Sequence, residues 1–245
     1  MAVTTRPPEP RPGARGGTSL LRFDAVERAV HWVNAALFGV LIATGAALYI
    51  APLESIVGRR ALVENIHVYC GLALPVPLVV ALAGSWGRAL RADLVRLNRW
   101  SDADRDWMRT LLRGGRDRWR LLDGARIGKF NPGQKLNAAF VAGAGLVMLA
   151  TGIVMRWYHP YPLGWRTGAT FVHDWLSLAV GLVVVGHVGM ALRDPDALRS
   201  IWTGRVPGSW ARRHAPAWLE DEDVPPDGPA PGRPGPGAAE VTPRR

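Results

Sequence analysis

Four histidines, His31, His67, His173 and His187, stand inside long apolar stretches that carry almost no charge. An ionisable side chain in hydrocarbon is costly, so four of them in a 245-residue chain require a function. A single such histidine is most simply a helix-packing or hydrogen-bonding group. Imidazole is also a common metal ligand and a frequent axial ligand to haem iron, and here the spacing favours ligation. His173 and His187 are fourteen residues apart. That is close to four helical turns, which puts both on one side of a helix, about 21 Å apart in depth. Two depths with two imidazoles at each would suit two six-coordinate b-type haems stacked across a membrane.

The elements that must carry these residues are membrane spans. Four apolar stretches run over 29–51, 66–84, 136–157 and 170–192, each near the ~20 residues that cross a hydrocarbon core. The second carries Pro75 and Pro77, which a membrane helix supported by its neighbours can accommodate. The chain is 48% hydrophobic with a formal net charge of +10. That charge could suggest nucleic acid, but the arginines crowd between the apolar stretches, as in an integral membrane protein, and no nucleic-acid partner is expected. Residues 1–21 are rich in Pro, Gly and Arg without an apolar run, and read as a disordered cytoplasmic arm rather than a secretory signal. Residues 219–245, with the run PPDGPAPGRPGPG, read as a disordered tail. The membrane domain is expected over 22–218.

Charge placement sets the orientation. Of the 30 basic residues, 26 lie before the first span, between the second and third, or after the fourth, and the other two connections hold only Arg59, Arg60, Arg156 and Arg166. The positive-inside rule places both termini and the long middle loop in the cytoplasm. His31 then lies near the inner face and His67 near the outer face. His173 lies near the outer face, with His187 deeper along the same span. The expected pairs are His67 with His173 and His31 with His187, so the fourth span serves both sites.

Small residues accompany the histidines: Thr44-Gly45 in span one, Gly143, Gly145 and Thr151-Gly152 in span three, and Gly181, Gly186 and Gly189 in span four. They would leave bare backbone against a flat macrocycle, or simply let helices pack closely. The tripeptide Ala-Thr-Gly occurs at 43–45 and again at 150–152, which suggests similar packing roles. With no Cys-x-x-Cys-His, the haems would be held non-covalently. Cys70 is the one cysteine. It reads as a small core residue, and one thiol cannot hold an iron–sulfur cluster, so electrons must come from another polypeptide or a diffusible donor. His159 and His214 fall outside the spans and read as solvated or partner-facing.

These motifs together resemble the gamma subunit of membrane-bound respiratory formate dehydrogenase, a di-haem cytochrome b. The resemblance runs from about Arg22 to about Trp218. It rests on Arg22-Phe23-Asp24-x-x-Glu27-Arg28-x-x-His31-Trp32, on Gly128-Lys129-Phe130-Asn131-Pro132-Gly133-Gln134-Lys135, on the His173 and His187 spacing, and on Gly204-Arg205-Val206 with the stretch to Trp218. The His-Trp pair near the start also resembles hydrogenase and other bacterial cytochrome b subunits.

The resemblance implies that His67 and His173 hold an outer haem b and His31 and His187 an inner one. It further implies an iron–sulfur beta subunit delivering electrons at the outer face, taken from formate on a molybdenum- or tungsten-containing alpha subunit. The acceptor is a quinone, expected to be menaquinone, near the inner haem. Asn131, Gly133 and Gln134 could donate hydrogen bonds to that quinone, although Asn131-Pro132-Gly133 also reads as an ordinary turn capping span three. Lys129 and Lys135 could be interfacial anchors. Arg28, with Arg22, could meet a haem propionate or simply form the positive flank. The middle loop, from Trp86 to Phe130, is rich in Trp and Arg (Trp100, Trp107 and Trp119 among them), and its part from Ser101 to Arg113 reads as an amphipathic helix lying at the interface or docking on a partner.

The expected architecture is all-α: a four-helix bundle in the cell membrane, surrounded by lipid, binding two b haems. It would conduct electrons as a subunit and would not act on formate alone. Two rivals remain. The same module could serve a nickel–iron hydrogenase or a thiosulfate-type reductase, or the chain could be a haem-free anchor whose histidines relay protons.

Overall fold

A computed structural model describes residues 19–50, 52, 53, 55, 58–117, 122 and 125–221. The expected arm up to residue 18, the tail beyond 221, residue 51 of the first span and Trp119 of the middle loop lie outside the described residues.

Four apolar segments form helices long enough to cross a membrane. They are α1 (Ala25–Tyr49), the paired α2 (Arg60–Ala73) and α3 (Val76–Ala83), then α6 (Pro132–Arg156) and α7 (Leu163–Arg193). Each begins several residues before its apolar stretch, and in α1 and α6 the polar first turn is held by a cap. Asp24 and Glu27 close a reciprocal capping box on α1, and Asn131 and Gln134 close another on α6 with Pro132 in the first turn. At Pro75 the second span breaks into two helices: the Leu74 N–H turns back to the Gly71 carbonyl, and Pro75 begins the next turn. Helix α7 has 31 residues, about 46 Å at 1.5 Å per residue, so it projects beyond a hydrocarbon core.

Helix α1 packs on α2 and α6 on α7, with α2 also touching α6. Almost nothing on these helices is buried within the chain: Leu146 is 70% exposed and Val185 71%. Such a surface is stable only against hydrocarbon, so the bundle is an integral membrane protein whose solvent is lipid.

The polar segments gather at one end of the bundle, here termed the terminal end. Helices α4 (Arg88–Asn98) and α5 (Asp102–Arg113) pack against α6 there, and α5 occupies the stretch expected to be amphipathic. After α7 come α8 (Pro195–Thr203), strand β2 (Arg205–Pro207), α9 (Gly208–His214) and α10 (Pro216–Asp221). Strand β1 (Ser19–Leu21) pairs antiparallel with β2. The expected arm, drawn to residue 21, therefore gives up its last three residues to an ordered strand, and the bundle carries a two-stranded ribbon that no local pattern announces. Val206, Trp210, Ala211, Ala215 and Trp218 form a buried apolar cluster beneath it. Gly204 joins α8 to β2 at φ 81°, and its carbonyl accepts both the Arg22 and Phe23 N–H groups.

Candidate functional site

The four membrane histidines meet in two pairs. His67 from α2 faces His173 from α7 with ring centres 6.3 Å apart, toward the end of the bundle opposite the terminal end. His31 from α1 faces His187 from α7 at 6.4 Å, toward the terminal end. These are the pairs expected from charge placement and helical rise. An imidazole nitrogen binds a first-row metal at about 2.0 Å, and its ring centre lies about 1.1 Å behind it, so two imidazoles trans on one iron stand roughly 6.2 Å apart. Both pairs fit that spacing. Among the described residues no group of three or more His, Cys, Asp or Glu could hold a metal ion. Bare ions would need such a cage, whereas a porphyrin brings its own four nitrogens and needs two axial ligands from the chain. The donor set therefore fits haem iron and fits a free metal ion poorly.

The far pair has a polar setting that the sequence reading did not find. The Thr44 hydroxyl lies 2.9 Å from His67 Nδ1 and the Thr151 hydroxyl 2.9 Å from His173 Nδ1. A methyl added at Gly45 or Gly152 would lie 3.4 Å from Cε1 of the same two rings. The repeated Ala-Thr-Gly was the available signal, because it places Thr-Gly at one depth on two helices beside the histidines of that depth. His31 and His187 have no hydrogen-bond partner among the described residues; His31 instead meets Trp32 edge-on.

At the terminal end, the polar residues leading into and opening α6 are built into buried ion pairs. Lys129 and Lys135, expected as interfacial anchors, are both buried. Lys129 Nζ lies 2.6 Å from Asp93 and 3.9 Å from Glu27, and Lys135 Nζ lies 2.7 Å from Asp104 and donates to the Arg99 carbonyl. Burial pushes the Asp104 carboxyl up, but hydrogen bonds from Lys135 and Ser101 outweigh it and hold its pKa below the ordinary value. Trp107 is buried beside Asp104 on the same face of α5, so this helix docks on α6 through a charged and an aromatic anchor.

The Asn131 side-chain oxygen accepts the Gln134 N–H, and the Gln134 side-chain oxygen accepts the Asn131 N–H. The capping role is thus present in the structure. Neither amide NH2 group makes a hydrogen bond among the described residues, with Asn131 half-buried and Gln134 exposed.

Arg28 donates to the carbonyls of Trp202 and Asp24, clasping α1 to the end of α8. Arg22 is buried against the rings of Trp210 and Phe23, and burial lowers its pKa to about 10 despite the nearby Asp194 and Asp93 carboxylates. Packing at the terminal end therefore occupies both arginines. Cys70 is a half-buried free thiol. His159 stacks on Tyr158 and His214 on Trp210, both exposed and outside the two pairs.

A helical membrane bundle with two pairs of facing histidines, each pair spaced as two ligands of one iron would be, suits a b-type membrane cytochrome. The chain belongs to the prokaryotic cytochrome b561 family, whose family model matches residues 22–204. It is similar to the cytochrome b556 subunit of formate dehydrogenase from Haemophilus influenzae, at 25% identity over 84% of each chain. It is also similar to two Escherichia coli K12 proteins. One is the cytochrome b556(Fdn) subunit of the nitrate-inducible formate dehydrogenase, at 21% identity over 82% of this chain and 91% of that one. The other is the cytochrome b556(fdo) subunit of formate dehydrogenase, at 24% identity over 83% and 93%.

Proposed function

We propose that this chain is the cytochrome b subunit of a formate dehydrogenase, binding two b haems and passing electrons to a quinone, menaquinone first among candidates. The observation that carries it is the pair of ring spacings, 6.3 and 6.4 Å, each suited to one iron. When bound, the haems supply reversible one-electron chemistry, and the protein supplies ligation, spacing and insulation. His67 and His173 would hold the haem that receives electrons from an iron–sulfur partner, itself served by a molybdenum- or tungsten-containing subunit. His31 and His187 would hold the second haem, nearer the quinone. The spacing along α7 separates the two sites by about 21 Å of helix. The names of these three relatives favour a formate dehydrogenase over a hydrogenase or a thiosulfate-type reductase.

The described parts of the basic middle segment, strand β1 and the segments after α7 gather at the terminal end, which supports a cytoplasmic placement for it. Quinone reduction takes up two protons, so a site there needs donors close to water. The capping box holds the Asn131 and Gln134 oxygens against the backbone and leaves their NH2 groups available as such donors.

Formate-dependent reduction of the b-type absorbance, in membranes carrying the chain with its partner subunits, tests this reading. Formate should reduce the haems within turnover time, hydrogen should not, and thiosulfate should not reoxidise them once reduced. Reduction by hydrogen alone would transfer the chain to the hydrogenase reading, and a chain with no haem absorbance would leave only an anchor.

A further inference from the structure

The two Thr-Gly steps do the same thing twice. Thr44 on α1 meets His67 of the helix that follows, and Thr151 on α6 meets His173 of the helix that follows it. Each threonine hydroxyl has one proton. Thr44 Oγ1 lies 2.7 Å from the Val40 carbonyl and Thr151 Oγ1 2.7 Å from the Val147 carbonyl. A carbonyl can only accept, so the hydroxyl proton goes to it in both cases. What remains on each hydroxyl is lone-pair density facing the imidazole, and the Nδ1–H must be the donor there. The neutral ring then carries its proton on Nδ1 and presents Nε2 unprotonated, as a metal ligand requires.

On the ligand reading above, we propose that Thr44 and Thr151 are positioning residues for the far-end haem. By accepting the Nδ1 protons of both axial imidazoles they lock ring orientation, raise ligand basicity and lower that haem's reduction potential. An acceptor on Nδ1–H makes the imidazole a stronger donor to iron, and a stronger donor favours the ferric state. His31 and His187, with no hydrogen-bond partner among the described residues, receive no such assistance. The asymmetry biases electrons from the far-end site toward the terminal-end site, the direction a quinone at the terminal end requires.

The test is a redox titration with low-spin ferric EPR on the full chain carrying Thr44→Val, Thr151→Val, both together, or Thr→Ser at each position. Valine keeps the shape and removes the acceptor; serine keeps the acceptor. His67→Ala identifies the far-end component as the one it removes. The expected result is two haems retained in the valine variants, with the far-end midpoint raised in each and further in the double variant. The far-end EPR line should move with it, the other component should stay unchanged, and serine should restore the wild-type values. Components that shift together, an unmoved far-end component, or a valine-induced haem loss that serine does not reverse would each overturn the inference. A wild-type chain with fewer than two haems, or a His67→Ala chain that keeps both, would instead overturn the ligand assignment beneath it.

Discussion

Lys135 shows how the terminal end is held, residue by residue. Its ammonium sits between the Asp104 carboxylate and the Arg99 carbonyl, and the two ionic side chains are only 8% and 2% exposed. Removing one partner of a buried pair leaves an uncompensated charge, so Asp104→Asn is expected to lower stability by about 3 kcal/mol, measured as thermal unfolding in detergent. The pH dependence has a definite sign. The folded pKa of Asp104 lies below that of an ordinary aspartate. Its contribution is therefore complete above the unfolded pKa and is lost as pH falls through the folded one. The melting temperature should be insensitive to this group near neutrality and should drop in acid below about pH 4, and the Asp104→Asn variant should lack that component. Asn131 makes a separable prediction. Asp caps a helix as well as Asn but has no NH2 to offer. Asn131→Asp should keep both haems and the melting temperature while slowing quinone reduction about tenfold, roughly the worth of one lost hydrogen bond. A variant with unchanged quinone kinetics would remove Asn131 from the quinone site.

Elements were legible where their causes are local. The apolar runs mark the spans and Asn131-Pro132-Gly133 marks the start of α6, whereas the capping boxes of Asp24/Glu27 and Ser101/Asp104, equally local, emerge only in the structure. The histidine pairs were legible for a similar reason, since helical rise and charge asymmetry are both readable along the chain. Contacts between distant segments were not. The β1–β2 ribbon joins residues nearly two hundred positions apart, and an arm rich in Pro, Gly and Arg gives no sign of its partner. The buried roles of Lys129 and Lys135 depend on Asp93 and Asp104, which reach them only when α4 and α5 fold back on α6. Gly204 carries the ribbon's geometry: its φ is 81°, and a Cβ there would sit 2.5 Å from the Phe23 carbonyl oxygen. Gly204→Ala combines left-handed strain with that clash and should cost about 2 kcal/mol or more in unfolding measurements. Gly164→Ala, in open space at the start of α7, should leave stability within a few tenths of a kcal/mol.

At the scale of the whole molecule, electron flow to a quinone as proposed requires the terminal end in the cytoplasm and one iron at each histidine pair. Orientation can be read with a membrane-impermeant maleimide on a Cys70→Ala background. In intact cells His159→Cys, beyond the end of α6, should label, and Arg116→Cys, on the middle segment, should label only after lysis. The reverse pattern would invert the bundle and the proposed electron path with it. The most direct measurement is haem content by pyridine haemochrome, combined with redox titration, in His31→Ala, His67→Ala, His173→Ala and His187→Ala. Each variant should retain one haem of two, with the same redox component missing from His67→Ala and His173→Ala and the other missing from His31→Ala and His187→Ala. Components lost in any other combination, or none lost, would contradict the claim that α1, α2 and α7 clasp two irons between them.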